Sequence, residues 1–339
     1  MVKPVTIDTF LQEADAPLLV DVRTPAEYAQ GHIPGAVNVP LFSNEERVQV
    51  GTTYKQVGRE EAILLGFELV GPKWAGFIRQ CLELAPGKRI AVHCWRGGMR
   101  SGAMAWALDL YGFDVSVIRG GYKAYRQLAR QYFEKTYKLC VLGGMTGSGK
   151  TKLLLELKDK GEQVIDLEGL AQHQGSSFGS MNKLQQPTQE QFENNLATQL
   201  RAVDTDAVLW LEDESLKIGQ CRIPHTLWLQ LRAAALIDLQ VSLEQRVALL
   251  VQEYGSLDPD FLVEGTERIH KRLGPEQTQK AITAIRENRM ADFVRTVLAY
   301  YDKAYRKGLG MRAQEKVFPL VLREAESAAL FSFAQTIDL

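Results

Sequence analysis

A cysteine placed between an apolar run and a helical one is the most reactive feature of this chain. In His93-Cys94-Trp95-Arg96-Gly97-Gly98-Met99-Arg100-Ser101 the thiol is followed within six residues by a glycine pair and two arginines. Backbone N–H groups at a helix N-terminus and nearby guanidinium charge both favour the anion, so Cys94 is expected to be a thiolate at neutral pH. Gly97 and Gly98 let the loop curl with its amides inward, forming a nest for an anion to which Arg96 and Arg100 add charge. Cys81, Cys140 and Cys221 have no such neighbours and read as core residues. A second chemical feature is Gly144-Met145-Thr146-Gly147-Ser148-Gly149-Lys150-Thr151, which fits G-x-x-x-x-G-K-[ST] without mismatch. Gly144, Thr146, Gly147, Ser148 and Gly149 bring amides toward phosphate oxygens, Lys150 neutralises terminal charge and Thr151 can coordinate Mg²⁺. Such a loop reports a bound polyphosphate and not its hydrolysis. A nucleotide fits, and so does a diphosphate ester whose other end reacts. Glu212-Asp213-Glu214 follows the apolar run 207–211, which makes Asp213 a candidate metal ligand.

Both loops need strands behind them. Residues 18–22, 36–39, 89–93 and 115–118 are short apolar runs separated by turn signals, and 100–111 has helical spacing. They predict an α/β domain over 1–121 with Cys94 at a strand end. Residues 122–137 read as a connecting helix. A further strand over 138–142 opens an α/β domain over 138–339, with strand-like runs at 163–167, 207–211 and 234–239 and a largely helical stretch at 267–307. Segment 119–138 carries six Lys/Arg against one Glu with Tyr122, Tyr125, Tyr132, Phe133 and Tyr137 interleaved. Aromatics packed on a domain with solvated cations is the plain reading; phosphate contact with base stacking is the sharper one. Residues 267–307 hold ten Lys/Arg and five Asp/Glu, a basic face for an anionic partner.

The 339 residues suit two domains. With 45% hydrophobic residues, 24% charged residues and a net charge of -1, global disorder is excluded. Four cysteines without a C-x-x-C pair or Cys/His cluster suggest neither a disulfide scaffold nor structural zinc. No signal-peptide pattern opens the chain and no apolar run reaches the ~18 residues of a membrane span, so no membrane partner is expected and the cytoplasm is the expected compartment.

The first ~120 residues resemble the rhodanese family, through Asp21-Val22-Arg23, Glu27-Tyr28, the run 31–40 from Gly31-His32-Ile33-Pro34 onward, the Cys94 loop and Gly120-Gly121. The resemblance implies a cysteine that carries transferable sulfur or selenium. The spacing Cys94-x5-Arg100 after His93 also looks like the phosphatase branch of that fold, so the loop leaves chalcogen transfer and phosphate-ester hydrolysis both open. Joined to the phosphate loop, the chain resembles the tRNA 2-selenouridine synthase family over residues 5–310. Gly51-Thr52-Thr53-Tyr54-Lys55, the Cys94 loop, residues 143–151, Leu167-Glu168-Gly169-Leu170-Ala171, Ser176-Ser177-Phe178-Gly179 and Ile218-Gly219 carry the likeness. Gln174 stands after His173 where the family pattern has Arg, which removes a cationic role there.

The fold this implies is an N-terminal rhodanese-like parallel-sheet domain followed by a P-loop NTPase-like α/β domain with a helical C-terminal part. The activity implied is replacement of sulfur by selenium in wobble 2-thiouridine of tRNA. Selenophosphate, from a separate supplier, is the donor, and a geranylated intermediate is made from geranyl diphosphate. No tightly bound cofactor is expected, and Mg²⁺ can bind. Residues 144–151 would hold the diphosphate, and Cys94 with Arg96, Gly97, Gly98 and Arg100 the selenium and its phosphate. His32 and Asp21 read as structural, and His173, Ser176 and Ser177 as loop residues near the site. The rivals are an ATP-dependent kinase or ATPase with a regulatory rhodanese-like module, a cysteine phosphatase, and a tRNA-binding or persulfide-relay module.

Overall fold

In the computed structural model, residues 1–174, 178, 185–321 and 327–337 are described. Ser176, Ser177 and Gly179, three residues of the family likeness, lie outside them. The chain divides into two compact units, Met1–Tyr132 with Glu193–Thr198, and Phe133–Phe192 with Gln199–Leu339.

In the first unit the strands are β1 (Lys3–Val5), β2 (Leu18–Asp21), β3 (Val37–Asn38), β4 (Arg89–His93) and β5 (Asp114–Ile118). All pair in parallel in the order β1-β5-β4-β2-β3. Its helices are α1 (Ile7–Gln12), α2 (Pro25–Gln30), α3 (Asn44–Gln56), α4 (Arg59–Val70), α5 (Trp74–Leu84), α6 (Met99–Tyr111) and α7 (Gly121–Glu134). A parallel sheet needs helical cover on its faces, which is why β2 and β4 read as unbroken apolar runs. Val20, Val92, Met104, Leu108 and Val115 are fully buried in one core beneath them.

The segment read as a connecting helix is α7, and the first unit takes it in as far as Tyr132. Tyr122, Tyr125, Tyr132, Phe133 and Tyr137 are all buried. They therefore serve packing and present no ring on which a base could stack, while Lys123, Arg130, Lys135 and Lys138 remain exposed.

The second unit holds β6 (Lys138–Gly144), α8 (Lys150–Asp159), β7 (Gln163–Val164), α9 (Leu167–Ala171), α10 (Gln189–Arg201, its residues 193–198 clustering with the first unit) and β8 (Val208–Glu212). The short hairpin β9 (Lys217–Ile218) and β10 (Cys221–Arg222) follows, then α11 (His225–Ala233), β11 (Ala235–Gln240), α12 (Leu243–Tyr254), α13 (Pro259–Arg268), α14 (His270–Leu273), α15 (Pro275–Arg286), α16 (Met290–Leu309), β12 (Val317–Val321) and α17 (Ser327–Ala334). The sheet is parallel in the order β12-β11-β6-β8-β7. Chain order reverses about the central β6, and in open α/β sheets ligands bind at the carboxyl ends of strands at such a point. β12 shows no strand signal beforehand because Pro319 interrupts it; Pro is tolerated at an edge, where one side of the strand needs no N–H. Among the described residues no helix is long and apolar enough to cross a membrane.

Candidate active site

The Cys94 loop begins where β4 ends and closes at the first turn of α6. Its Sγ lies 3.3 Å from the Gly98 N–H and 3.3 Å from Ser101 Oγ. Burial pushes the thiol up. The Ser101 hydroxyl, the backbone N–H groups of Ser101 and Arg96 and the Arg100 charge reverse that, so its pKa falls below the ordinary thiol value. Cys81 and Cys140 have burial alone and rise to about 11 and about 12. Gly97 in the loop (φ 65°) and Gly120 (74°) and Gly121 (56°) packed beside it are at positive φ, whereas Gly98 is at -102°. A Cβ on Gly97 would stand 2.5 Å from Ile118 O, and one on Gly121 only 2.2 Å from Cys94 O. The close approach lets Tyr122 N–H donate to Cys94 O and Lys123 N–H to Trp95 O, both at 2.9 Å. The loop carbonyls are thereby occupied on the α7 side, leaving amides such as Gly98 N–H for the sulfur.

Arg100 does not stand alone over the thiol. Its guanidinium donates to both Glu27 oxygens, at 2.6 and 3.1 Å. Glu27 also accepts from Thr24 N–H in the capping box that starts α2. Arg96 is exposed. Behind the loop, Asp21 accepts from the Nε, the Nη2 and the backbone N–H of Arg23, and Arg23 stacks 3.9 Å from the Tyr122 ring centroid. Asp21 and His32 are structural, as expected: His32 Nδ1 lies 3.0 Å from Tyr28 O and its ring stacks on Tyr28. Burial pushes His93 down to about 4, so it is neutral and cannot serve as the charged partner of the thiolate. Glu27 and Ser101 were assigned no role from sequence. Ser101 was legible as a hydroxyl one turn into the helix behind the thiol; Glu27, 73 residues from Arg100, was not.

The phosphate loop runs from the end of β6 into α8. Gly144, Gly147 and Gly149 all have positive φ, and a Cβ on Gly144 would come within 2.6 Å of Ser148 Oγ. Lys150 Nζ donates to Gly144 O at 2.9 Å, folding the lysine back over its own loop. Thr146 O accepts from Arg246, which is held by both Asp302 oxygens at 2.8 and 2.7 Å, so the buried guanidinium braces the loop from α12. Ser148 Oγ is buried without a partner.

The metal candidate read from sequence, Asp213, is engaged by arginines. Asp213 Oδ1 accepts from Arg312 at 2.6 Å and lies 3.4 Å from Arg232. The ladder continues through Asp213 N–H to Leu142 O, and strand side chains alternate, so Glu212 and Glu214 share the opposite face. One ligand oxygen from each of Glu168, Glu212 and Glu214 lies within 4.8 Å of the others. Burial and the two neighbouring carboxylates push Glu168 up to about 9; burial and Glu212 push Glu214 up to about 8. Burial also raises Glu212 against the pull of Lys150 and of the neighbouring Thr151 and Glu168 side chains. Three acids crowded in this way hold protons or a cation.

A thiolate loop and a phosphate-binding loop in successive parallel-sheet units define a rhodanese-like domain joined to a P-loop domain. Residues 6–128 match the profile of the rhodanese-like domain, and residues 137–329 that of the tRNA 2-selenouridine synthase AAA domain. The chain is 38% identical over 282 residues to a tRNA 2-selenouridine synthase of Nitrosomonas europaea, covering 79% of this chain and 70% of that one. It is 37% identical over 295 residues to that of Marinobacter nauticus (78% and 77%) and 36% over 333 residues to that of Pseudomonas fluorescens (89% and 86%). The chain belongs to the tRNA 2-selenouridine synthase family.

Proposed function

We propose that this protein, acting in the cytoplasm, replaces the sulfur of wobble 2-thiouridine in tRNA by selenium in two steps, one at each loop. The observation that carries the reading is the coexistence of a Cys94 thiol held by Gly98 N–H and Ser101 Oγ, its pKa lowered, and an intact phosphate loop at 144–151 in one chain of this family. In the first step the loop amides and Lys150 bind the diphosphate of geranyl diphosphate. The uridine sulfur attacks the allylic carbon, the C–O bond breaks, N3 gives up its proton to solvent, and the separating negative charge of the diphosphate is stabilised by the lysine and amides. A divalent cation fits Glu168, Glu212 and Glu214, because one oxygen of each lies within 4.8 Å of the others; when bound it would neutralise diphosphate charge.

Alkylation makes the sulfur a leaving group. In the second step selenium from selenophosphate, supplied by another enzyme, attacks C2: the C2–Se bond forms and the C2–S bond breaks. Geranylthiol leaves with one proton, and N3 takes another. Water cleaves the P–Se bond to give phosphate, with no net oxidation. Cys94 and its amide nest receive or position the selenium, and Arg96 and Arg100 hold the phosphate. Exposed Lys271, Lys280, Lys303, Arg306 and Lys307 meet the RNA backbone, whereas Arg286, Arg289 and Arg295 of the same basic stretch are tied in surface ion pairs.

The test is nucleoside mass spectrometry of 2-thiouridine tRNA incubated with geranyl diphosphate, with and without selenophosphate. Lys150→Ala is expected to suppress the geranyl product. Cys94→Ser is expected to spare that product and suppress the selenium one. Loss of both products in both variants would overturn the division of steps between the loops.

A further inference from the structure

Against the Cys94 loop lies a cavity of about 1100 Å³, larger than the roughly 300–1,000 Å³ of ordinary small-molecule sites. It is bounded by α3, α4 and α6, all in the first unit, and Arg96, Met99 and Arg100 belong both to its wall and to the thiol loop. The lining is predominantly apolar, yet its large side chains stay in solvent: Val48 is 66% exposed, Phe67 59%, Trp106 57% and Met99 59%. A hydrophobic core would have closed over them; no residue of α3 is buried. Rings and branched chains left around a hollow mark a site for an apolar ligand. The charged residues in the wall are Arg47, Lys55, Arg96 and Arg100, with no acid among the described residues. An occupant that is apolar along its length and anionic at its attachment complements this surface.

We propose that the cavity between α3, α4 and α6 holds the ten-carbon prenyl chain of S-geranyl-2-thiouridine RNA while selenium replaces sulfur at the Cys94 loop. This rests on the geranylated intermediate of the reading above and places its chain in the thiol unit. The chain departs as geranylthiol in the step already balanced, so holding it orients C2 toward the attacking selenium. The RNA phosphates then face Arg47 and Lys55, while Arg96 and Arg100 remain with the selenophosphate.

The experiment uses the full chain with anticodon stem-loop RNAs carrying S-geranyl- or S-dimethylallyl-2-thiouridine and selenophosphate, following 2-selenouridine formation. Each buried carbon contributes about fourfold in affinity, so five additional carbons should lower KM by up to about a thousandfold for the geranyl RNA. Gly102→Leu fills the cavity from α6, where an added Cβ meets nothing within 4 Å, and Phe67→Asp places a charge on its exposed wall. Both should raise KM for the geranyl RNA and shrink the preference toward one, with melting curves confirming that the variants fold. Equal KM values for the two RNAs in the unmodified protein, or a preference that both variants leave intact, would overturn the cavity assignment. Failure of the unmodified protein to convert either RNA would instead refute the two-step reading on which it rests.

Discussion

Ser101 offers the sharpest quantitative test of the thiolate loop. Its hydroxyl lies 3.3 Å from Cys94 Sγ and 3.1 Å from Gly98 O, so it is shared between the sulfur and a carbonyl. A hydrogen bond to a charged group contributes about 1.5–3 kcal/mol. Sharing and the distance argue for about 1.5 kcal/mol here, which is about tenfold in thiolate population below the midpoint of titration. Ser101→Ala should therefore slow alkylation of Cys94 by iodoacetamide about tenfold at pH values below the midpoint of titration and move the rate profile to higher pH, while Ser101→Thr, which keeps the hydroxyl, should move it less. Peptide mass spectrometry isolates the Cys94 signal, and Cys81 and Cys140, pushed up to about 11 and about 12, stay unreactive over the same range. The linkage has a definite sign. Folding lowers the Cys94 pKa, so its ionisation adds stability above the ordinary thiol range, and that increment fades as pH falls through the folded-state value. Ser101→Ala should flatten this slope. Superimposable alkylation profiles for Ser101→Ala and the unmodified protein would refute the account of how the thiolate is stabilised.

Two substitutions test the scaffolds behind the sites. Glu212→Gln removes an acid from a buried cluster of three, so without divalent cations it should raise the unfolding free energy by about 1–3 kcal/mol; Mg²⁺-dependent binding of inorganic pyrophosphate, followed by calorimetry, should weaken at the same time. Asp21→Ala leaves Arg23 buried and uncompensated and should cost about 3–5 kcal/mol in denaturant unfolding, whereas a loss below 1 kcal/mol would show that Arg23 finds another acceptor besides Gly31 O.

What was legible beforehand was local. Runs of apolar residues marked β2, β4, β5, β6, β8 and β11 to within one or two residues, because a strand buried on both faces cannot alternate with polar residues. The glycines of both loops were readable from local spacing as well: within the two motifs the backbone takes a positive φ at Gly97, Gly144, Gly147 and Gly149. β1 was missed, since three residues at a sheet edge carry no periodicity, and the short hairpin of β9 and β10 likewise.

Partnerships across the chain were decided by the tertiary structure. Arg100 stands six residues after Cys94, where sequence reads it as an anion ligand; folding adds Glu27, 73 residues away, as its partner. Asp213 looked like the metal ligand until the alternation of β8 turned it to Arg312 and placed Glu212 beside Glu168 and Glu214. The aromatics of α7 could have faced solvent or core, and packing buried them. A motif is legible in sequence when neighbouring residues build it from their own backbone. Charges and cavities depend on which distant elements arrive, so the lowered thiol pKa, the three-glutamate cluster and the hollow between α3, α4 and α6 exist only once the chain is folded.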